Sequence, residues 1–145
     1  MARLELQGFD ELNAAFGRIS EIPWETTSKA LSQMADVAAD RIRKSGSAMG
    51  VRDPESNVHI LDTIKAKKPK KTDAGGYADI TFEGSRQRGR TRTRNAEIAF
   101  VNEYGKRNQA ARPFIGTAMT QNEEAIAAPA AETIGDWIET TFSKD

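Results

Sequence analysis

Apolar and polar residues follow two rhythms along this chain, and the switches between them mark its elements. Residues 2–7 alternate, with Leu4 and Leu6 set against Arg3, Glu5 and Gln7, as in a half-buried strand that Gly8 ends. Phe9, Leu12, Phe16 and Ile19 recur at intervals of three and four and predict a short amphipathic helix. Pro23 restarts the chain as a helix-initiating residue, with Glu21 and Glu25 near the positive end of the dipole. The clearest stripe follows. Leu31, Met34, Ala35, Ala38 and Ile42 define one buried face, Val37 and Ala39 flank it, and Gly46 offers a stop. Residues 45–57 read as a loop, and Val58, Leu61 and Ile64 as one helical turn leading into a strand.

Residues 63–68 and 77–83 return to alternation and predict a hairpin; in the second strand Ala78, Ile80 and Phe82 oppose Tyr77, Asp79, Thr81 and Glu83. The tip between them holds Lys70, Lys71, Gly75 and Gly76 and reads as flexible. Residues 84–94, GSRQRGRTRTR, hold no apolar residue and read as a second mobile segment. Ala96, Ala99, Phe100 and Tyr104 then fall near helical spacing, widened by Ile98 and Val101. Gly105 is placed to close that helix in the left-handed conformation. A polar turn, Lys106-Arg107-Asn108-Gln109, precedes Arg112-Pro113-Phe114, where proline suits the first helical position. Phe114, Ile115, Ala118 and Met119 make the next stripe, and Ile134, Trp137, Ile138 and Phe142 another. The pattern over residues 113–142 predicts a long helix interrupted at Pro129. Glu103 and Arg112 flank the turn and are expected to pair across it, with Phe114 anchoring the later helix in the core. The alternative is that each points to solvent, where an exposed pair contributes about 0–1 kcal/mol.

These elements predict an α+β fold: a small antiparallel sheet of three to four short strands packed against a long first helix and a C-terminal helix. A length of 145 residues without repeats or linkers fits one domain, with flexible basic loops at about 65–76 and 84–95. Only 7% of residues are aromatic, so core material is scarce and an elongated or partner-dependent body is expected. Cysteine is absent, which rules out disulfides and thiolate chemistry and fits synthesis in a cytoplasm. No apolar run approaches membrane-spanning length and no leader pattern opens the chain, so neither a membrane partner nor a secretory signal is expected.

The formal net charge of zero conceals a segregation of charge. Residues 65–94 carry ten cations, Lys65, Lys67, Lys68, Lys70, Lys71, Arg86, Arg88, Arg90, Arg92 and Arg94, against three acids. From residue 121 onward six acids face Lys144. Such a dipolar chain suits head-to-tail stacking, while a solvated face is the plainer account of each charge run. Arginines at every second position can neutralise phosphates. With no aromatic residue among positions 86–94, they offer backbone contact without base stacking or sequence preference. Three roles stay open for this arm: lining a DNA-conducting channel, docking on an acidic neighbour, or a solvated loop.

Catalysis finds little support. His59 is the only histidine, flanked by Val58, Ile60 and Leu61, with no partner to orient it as a base. The carboxylates are scattered, and no metal-ligand spacing, phosphate-binding glycine loop or nucleophile elbow is present. No catalytic residue, metal ligand or cofactor is expected. Trp137, near the end of the chain, is a candidate subunit contact.

The run Val101-x-Glu103-Tyr104-Gly105, a short basic turn, then Ala111-Arg112-Pro113-Phe114-Ile115 and Ala118, resembles the small tail-component, or tail-completion, family of long-tailed, lambda-like bacteriophages. The signature lies between Asn95 and Met119. The chain departs from it in the arginine-rich insert just upstream and in Pro129. The resemblance implies a structural virion protein of the neck or tail, located at the head–tail junction. It would complete the tail or join head connector to tail tube as a ring, with sixfold symmetry to match the tail. Its partners would be further copies of itself, adjacent neck proteins and tail tube or terminator proteins, with packaged double-stranded DNA as a backbone contact. Glu103, Tyr104, Gly105, Arg112, Pro113 and Phe114 would be structural. The alternative is a non-sequence-specific nucleic-acid-binding protein using residues 86–94.

Overall fold

The computed structural model describes residues 2–6, 22–53 and 58–142. The helix expected from Phe9, Leu12, Phe16 and Ile19 lies outside them. The longest element, α1 (Trp24–Met49), buries Ala30, Leu31, Met34, Ala35, Ala38, Ala39 and Ile42, the predicted stripe and more. With so many alanines, α1 lets neighbours approach closely on two sides: the sheet on one, and the C-terminal helices on the other.

Gly46 does not end α1. A Cβ there would lie 2.5 Å from Leu61 Cδ2 and 3.0 Å from Phe114 Cδ2, so the glycine is the notch into which both side chains fit. The stop is Gly50, at φ 68° and ψ 45°, with its N–H on Ser47 O and that of Val51 on Gly46 O. That double return is the Schellman closure.

The expected helical turn forms as a 3₁₀ turn over Ile60–Thr63, capped by His59 Nδ1, which accepts the Leu61 N–H at 3.1 Å. The chain then enters a four-stranded antiparallel sheet. Its strands are β1 (Ala2–Leu6), β2 (Ile64–Ala66), β3 (Lys70–Thr72) and β4 (Gly75–Phe82). β4 is central. β1 runs along one edge, and β2 and β3 follow one another along the other. Ala66 faces Ile80 and Lys70 faces Tyr77, so three residues oppose two: a bulge that holds Pro69, which has no ladder N–H to give. Ala78, Ile80 and Phe82 point into the core as the alternation predicts. Gly76 is a packing site too, since a Cβ there would meet Trp24 at 2.7 Å.

Both segments read as flexible loops carry strand structure. Lys70–Thr72 is β3, and residues 84–94 form a hairpin of β5 (Ser85–Arg88) and β6 (Thr91–Arg94). Gly89, at φ 61°, occupies the first of the two turn positions, where a II′ hairpin turn takes glycine. Arginine and threonine tolerate strand geometry without a core, because cross-strand pairs and long stems supply the contacts.

Three further helices complete the fold: α2 (Asn95–Tyr104), α3 (Phe114–Gln121) and α4 (Glu123–Phe142). α4 lies along α1, burying Ile126, Ala130, Thr133 and Ile134, and Thr133 Oγ1 bonds Gln33 Oε1 at 2.7 Å. The interruption expected at Pro129 falls at Asn122, between α3 and α4, with Pro129 inside the latter. Proline removes one rung of the helix ladder. Asn122, by contrast, sits at φ −122°, off the helix, with its side-chain amide on Ala118 O. The α+β architecture, with its small antiparallel sheet against a long first helix and a C-terminal helix, is therefore as the residue pattern predicts. Among the described residues no helix is long and apolar enough to cross a membrane.

Candidate functional site

The residues of the motif meet where α2 passes the start of α3. Pro113 is not the first helical residue. At φ −74° and ψ 64° it forms an inverse γ-turn, closed by the Phe114 N–H on Arg112 O at 2.7 Å. It then serves as N-cap through its carbonyl, which accepts from Thr117. A proline cap has no side chain to offer the free N–H groups of the first turn. Glu103 supplies one from another helix. Its carboxylate accepts the Ile115 N–H at 2.8 Å and the Gly116 N–H at 2.9 Å. Negative charge at a helix N-terminus is favourable, the more so where water is excluded, and Glu103 is buried. The expected Glu103–Arg112 pair is thus replaced by a cap. Arg112 instead donates its main-chain N–H to Asn102 O at 2.6 Å.

Gly105 ends α2 with positive φ, but not in the left-handed helical region. At φ 78° and ψ 178° it lies in the extended region almost confined to glycine. A Cβ there would stand 2.8 Å from Ala111 N. Phe114 is fully buried, edge-on to Phe82 with ring centroids 5.9 Å apart. Removing such a ring from a core costs about 3–5 kcal/mol.

Asn102, beside Glu103, is the residue the sequence reading missed. It is buried, its Oδ1 accepts from Arg52 N at 2.8 Å, and its Nδ2 donates to Arg52 O at 3.1 Å and Ile98 O at 3.0 Å. The side-chain amide thereby pairs with the backbone of Arg52 as a strand would, tying the segment after α1 to α2. Its only sequence signal is two adjacent polar residues inside an apolar helical stretch.

These two polar residues displace the aromatics. The buried face of α2 is Asn95, Ile98, Ala99, Asn102 and Glu103. Phe100 and Tyr104, expected inside, are 57% and 68% exposed and lie against each other with centroids 4.6 Å apart.

The ten basic candidates do not act alike. Arg86 belongs to the interior: its side chain is 14% exposed and its Nη1 reaches both oxygens of Asp53, 4% exposed, at 2.9 and 2.7 Å. Arg86 Nε donates to Asn95 Oδ1, Asn95 Nδ2 to Glu83 O, and Asp53 Oδ2 accepts the Ile60 N–H. This chain of contacts fixes the base of the hairpin, so Arg86 is removed from the list of lumen or ring contacts. Arg88, Arg90, Arg92 and Arg94 are exposed; Arg92 Nε bonds Ser85 Oγ and Arg94 pairs with Glu97. Lys65 pairs at the surface with Glu83, Lys67 and Lys68 lie in the bulge with Pro69, and Lys70 and Lys71 lie on exposed β3. Two separate β units therefore carry the cations. A cavity of 320 Å³ lies beside α2, where Arg88 joins Arg52, Lys106, Glu97, Ile98 and Val101. Trp137 is half-buried on α4.

Comparison with known proteins places nothing beside this chain: no protein-family model, no curated protein and no solved structure matches it. Among the described residues no cluster of three or more potential metal ligands occurs.

Proposed function

We propose that this chain is a structural protein of the neck or tail of a long-tailed bacteriophage, completing the tail or joining it to the head connector as part of a ring. The observation that carries the reading is the use made of the motif by which the chain resembles that family. Glu103 caps α3, Gly105 makes a turn only glycine makes readily, Pro113 forms the γ-turn, and Phe114 fills the core. Every one of these roles is architectural, and the reading assigns no catalytic step.

The charge layout supports it as well. Exposed cations lie on the hairpin and the sheet edge, and exposed acids on α4, as head-to-tail assembly requires. The ring would be sixfold, matching the tail, with adjacent neck proteins and tail tube or terminator proteins as partners. It would sit at the head–tail junction after synthesis in the host cytoplasm. The test is a nonsense mutation in the gene within its phage: full heads and finished tails that fail to join are expected. Intact infectious particles would remove the proposal.

Non-sequence-specific nucleic-acid binding is the second reading, favoured by the ordered display of Arg88, Arg90, Arg92 and Arg94 on the hairpin. It predicts duplex binding by the isolated protein, with a steep loss of affinity as salt rises.

A further inference from the structure

Phe100 and Tyr104 are the largest apolar side chains left exposed on any described helix, and they sit one turn apart on the outer face of α2. Val101, on the same helix, borders the cavity that holds Arg52, Arg88 and Lys106, and Arg107 follows in the exposed turn. The aromatic pair thus shares α2 with a cavity lined by these cations and by Glu97 and Asp53, which are themselves paired with Arg94 and Arg86. The outer face of α4 is the complement of the aromatic pair. Ala127, Ala128 and Ala131 are exposed there, and a Cβ at Gly135 would meet nothing within 4 Å. Glu124, Glu132 and Asp136 stand exposed beside this row of small residues. None of Lys106, Arg107, Glu132 and Asp136 forms a salt bridge with another described residue.

The geometry points to a head-to-tail contact between copies of this chain: the Phe100–Tyr104 face of one seats on the acidic, alanine-lined face of α4 of the next. Large rings over small side chains bury apolar area at close approach. The rim of cations then meets the rim of acids, which fixes orientation and register. Used one at each end of the chain, two different patches generate a ring or a helix; a twofold dimer would need both contacts to form reciprocally between the same two chains. The contact rests on the ring reading above and names the surfaces that reading leaves open.

Charge reversal tests it in the full chain, with sedimentation velocity as the readout. Wild type should associate as its concentration rises towards the solubility limit, less so in high salt. A face variant, Lys106→Glu with Arg107→Glu, then carries two acidic surfaces. A helix variant, Glu132→Lys with Asp136→Lys, carries two basic ones. Each alone should sediment as a single chain, and their mixture should recover association, because alternating copies restore every contact. Phe100→Ser with Tyr104→Ser should weaken association by about tenfold or more, since buried aromatics dominate such interfaces.

All six positions are exposed, so folding is expected to be unchanged, and circular dichroism checks it. A wild type that stays monomeric throughout overturns the contact. So does association that both charge variants retain, or a mixture that fails to recover. If rings are nonetheless found on particles, only the choice of surfaces fails. A chain missing from particles would instead defeat the ring reading itself.

Discussion

Glu103 meets Gly116 through one hydrogen bond. The Gly116 N–H donates to Glu103 Oε1 at 2.9 Å, and a Cβ at Gly116 would stand 3.1 Å from that same oxygen. A side chain at Gly116 would crowd the carboxylate that caps α3, which would have to shift by a few tenths of an ångström. Pro113 is the N-cap by position but has no side chain to accept from the first turn, and Glu103, earlier in the chain, does. Glu103→Ala should therefore destabilise the protein by about 2–3 kcal/mol, losing two charge-assisted bonds at a helix N-terminus. Glu103→Gln, which keeps an acceptor, should cost about half as much. Urea unfolding of both variants measures this; a Gln variant as stable as wild type would mean that the charge has no role.

Arg86 and Arg90 are close in sequence and differ completely in role. Arg86→Ala strands the Asp53 carboxylate in the interior, and a broken buried pair costs about 3–5 kcal/mol. Arg90 lies at the exposed hairpin turn. Arg90→Ala should stay within about 0.5 kcal/mol of wild type. Thermal unfolding separates them, and similar midpoints for the two would contradict the buried anchor.

The same contrast shows what the residue pattern could convey. Arg86 is one of five arginines at alternate positions, and nothing local distinguishes it. Asp53, the residue that draws it inside, lies 33 residues away in sequence. Asn102 was hidden in the same way, since its partner Arg52 is 50 residues distant. Local periodicity therefore placed α1, the core-facing side of β4 and the α+β architecture, all set by apolar spacing. It put Phe100 and Tyr104 on the wrong side of α2, because long-range bonds secure two polar residues inside. Gly46 and Gly50 pose a related ambiguity. A glycine near a helix end looks the same whether it stops the helix or admits a neighbour.

Two helical glycines should respond oppositely to alanine. At Gly46 the added methyl collides with Leu61 and presses on Phe114. Overpacking of this kind costs about 1–3 kcal/mol, more than helix propensity returns. At Gly135 a Cβ meets nothing within 4 Å. Gly135→Ala should therefore stabilise the free chain by about 0.5–1 kcal/mol. Urea midpoints that move in the same direction would contradict the packing described at Gly46.

Gly105→Ala combines a backbone conformation that glycine alone adopts readily with a Cβ 2.8 Å from Ala111 N. Strain of about 1–3 kcal/mol is expected from the backbone, and the close contact adds to it. The damage should spread to the start of α3, seen as faster hydrogen exchange at Ile115 and Gly116. Unchanged exchange there would separate the turn from the cap.

The proposed role turns on where the protein works. Gold-labelled antibody against it, applied to purified particles and imaged by electron microscopy, tests this directly. Label confined to the head–tail junction is the predicted result. Particles without label, from cells in which the protein is abundant, would contradict the structural reading and leave nucleic-acid binding as the one to pursue.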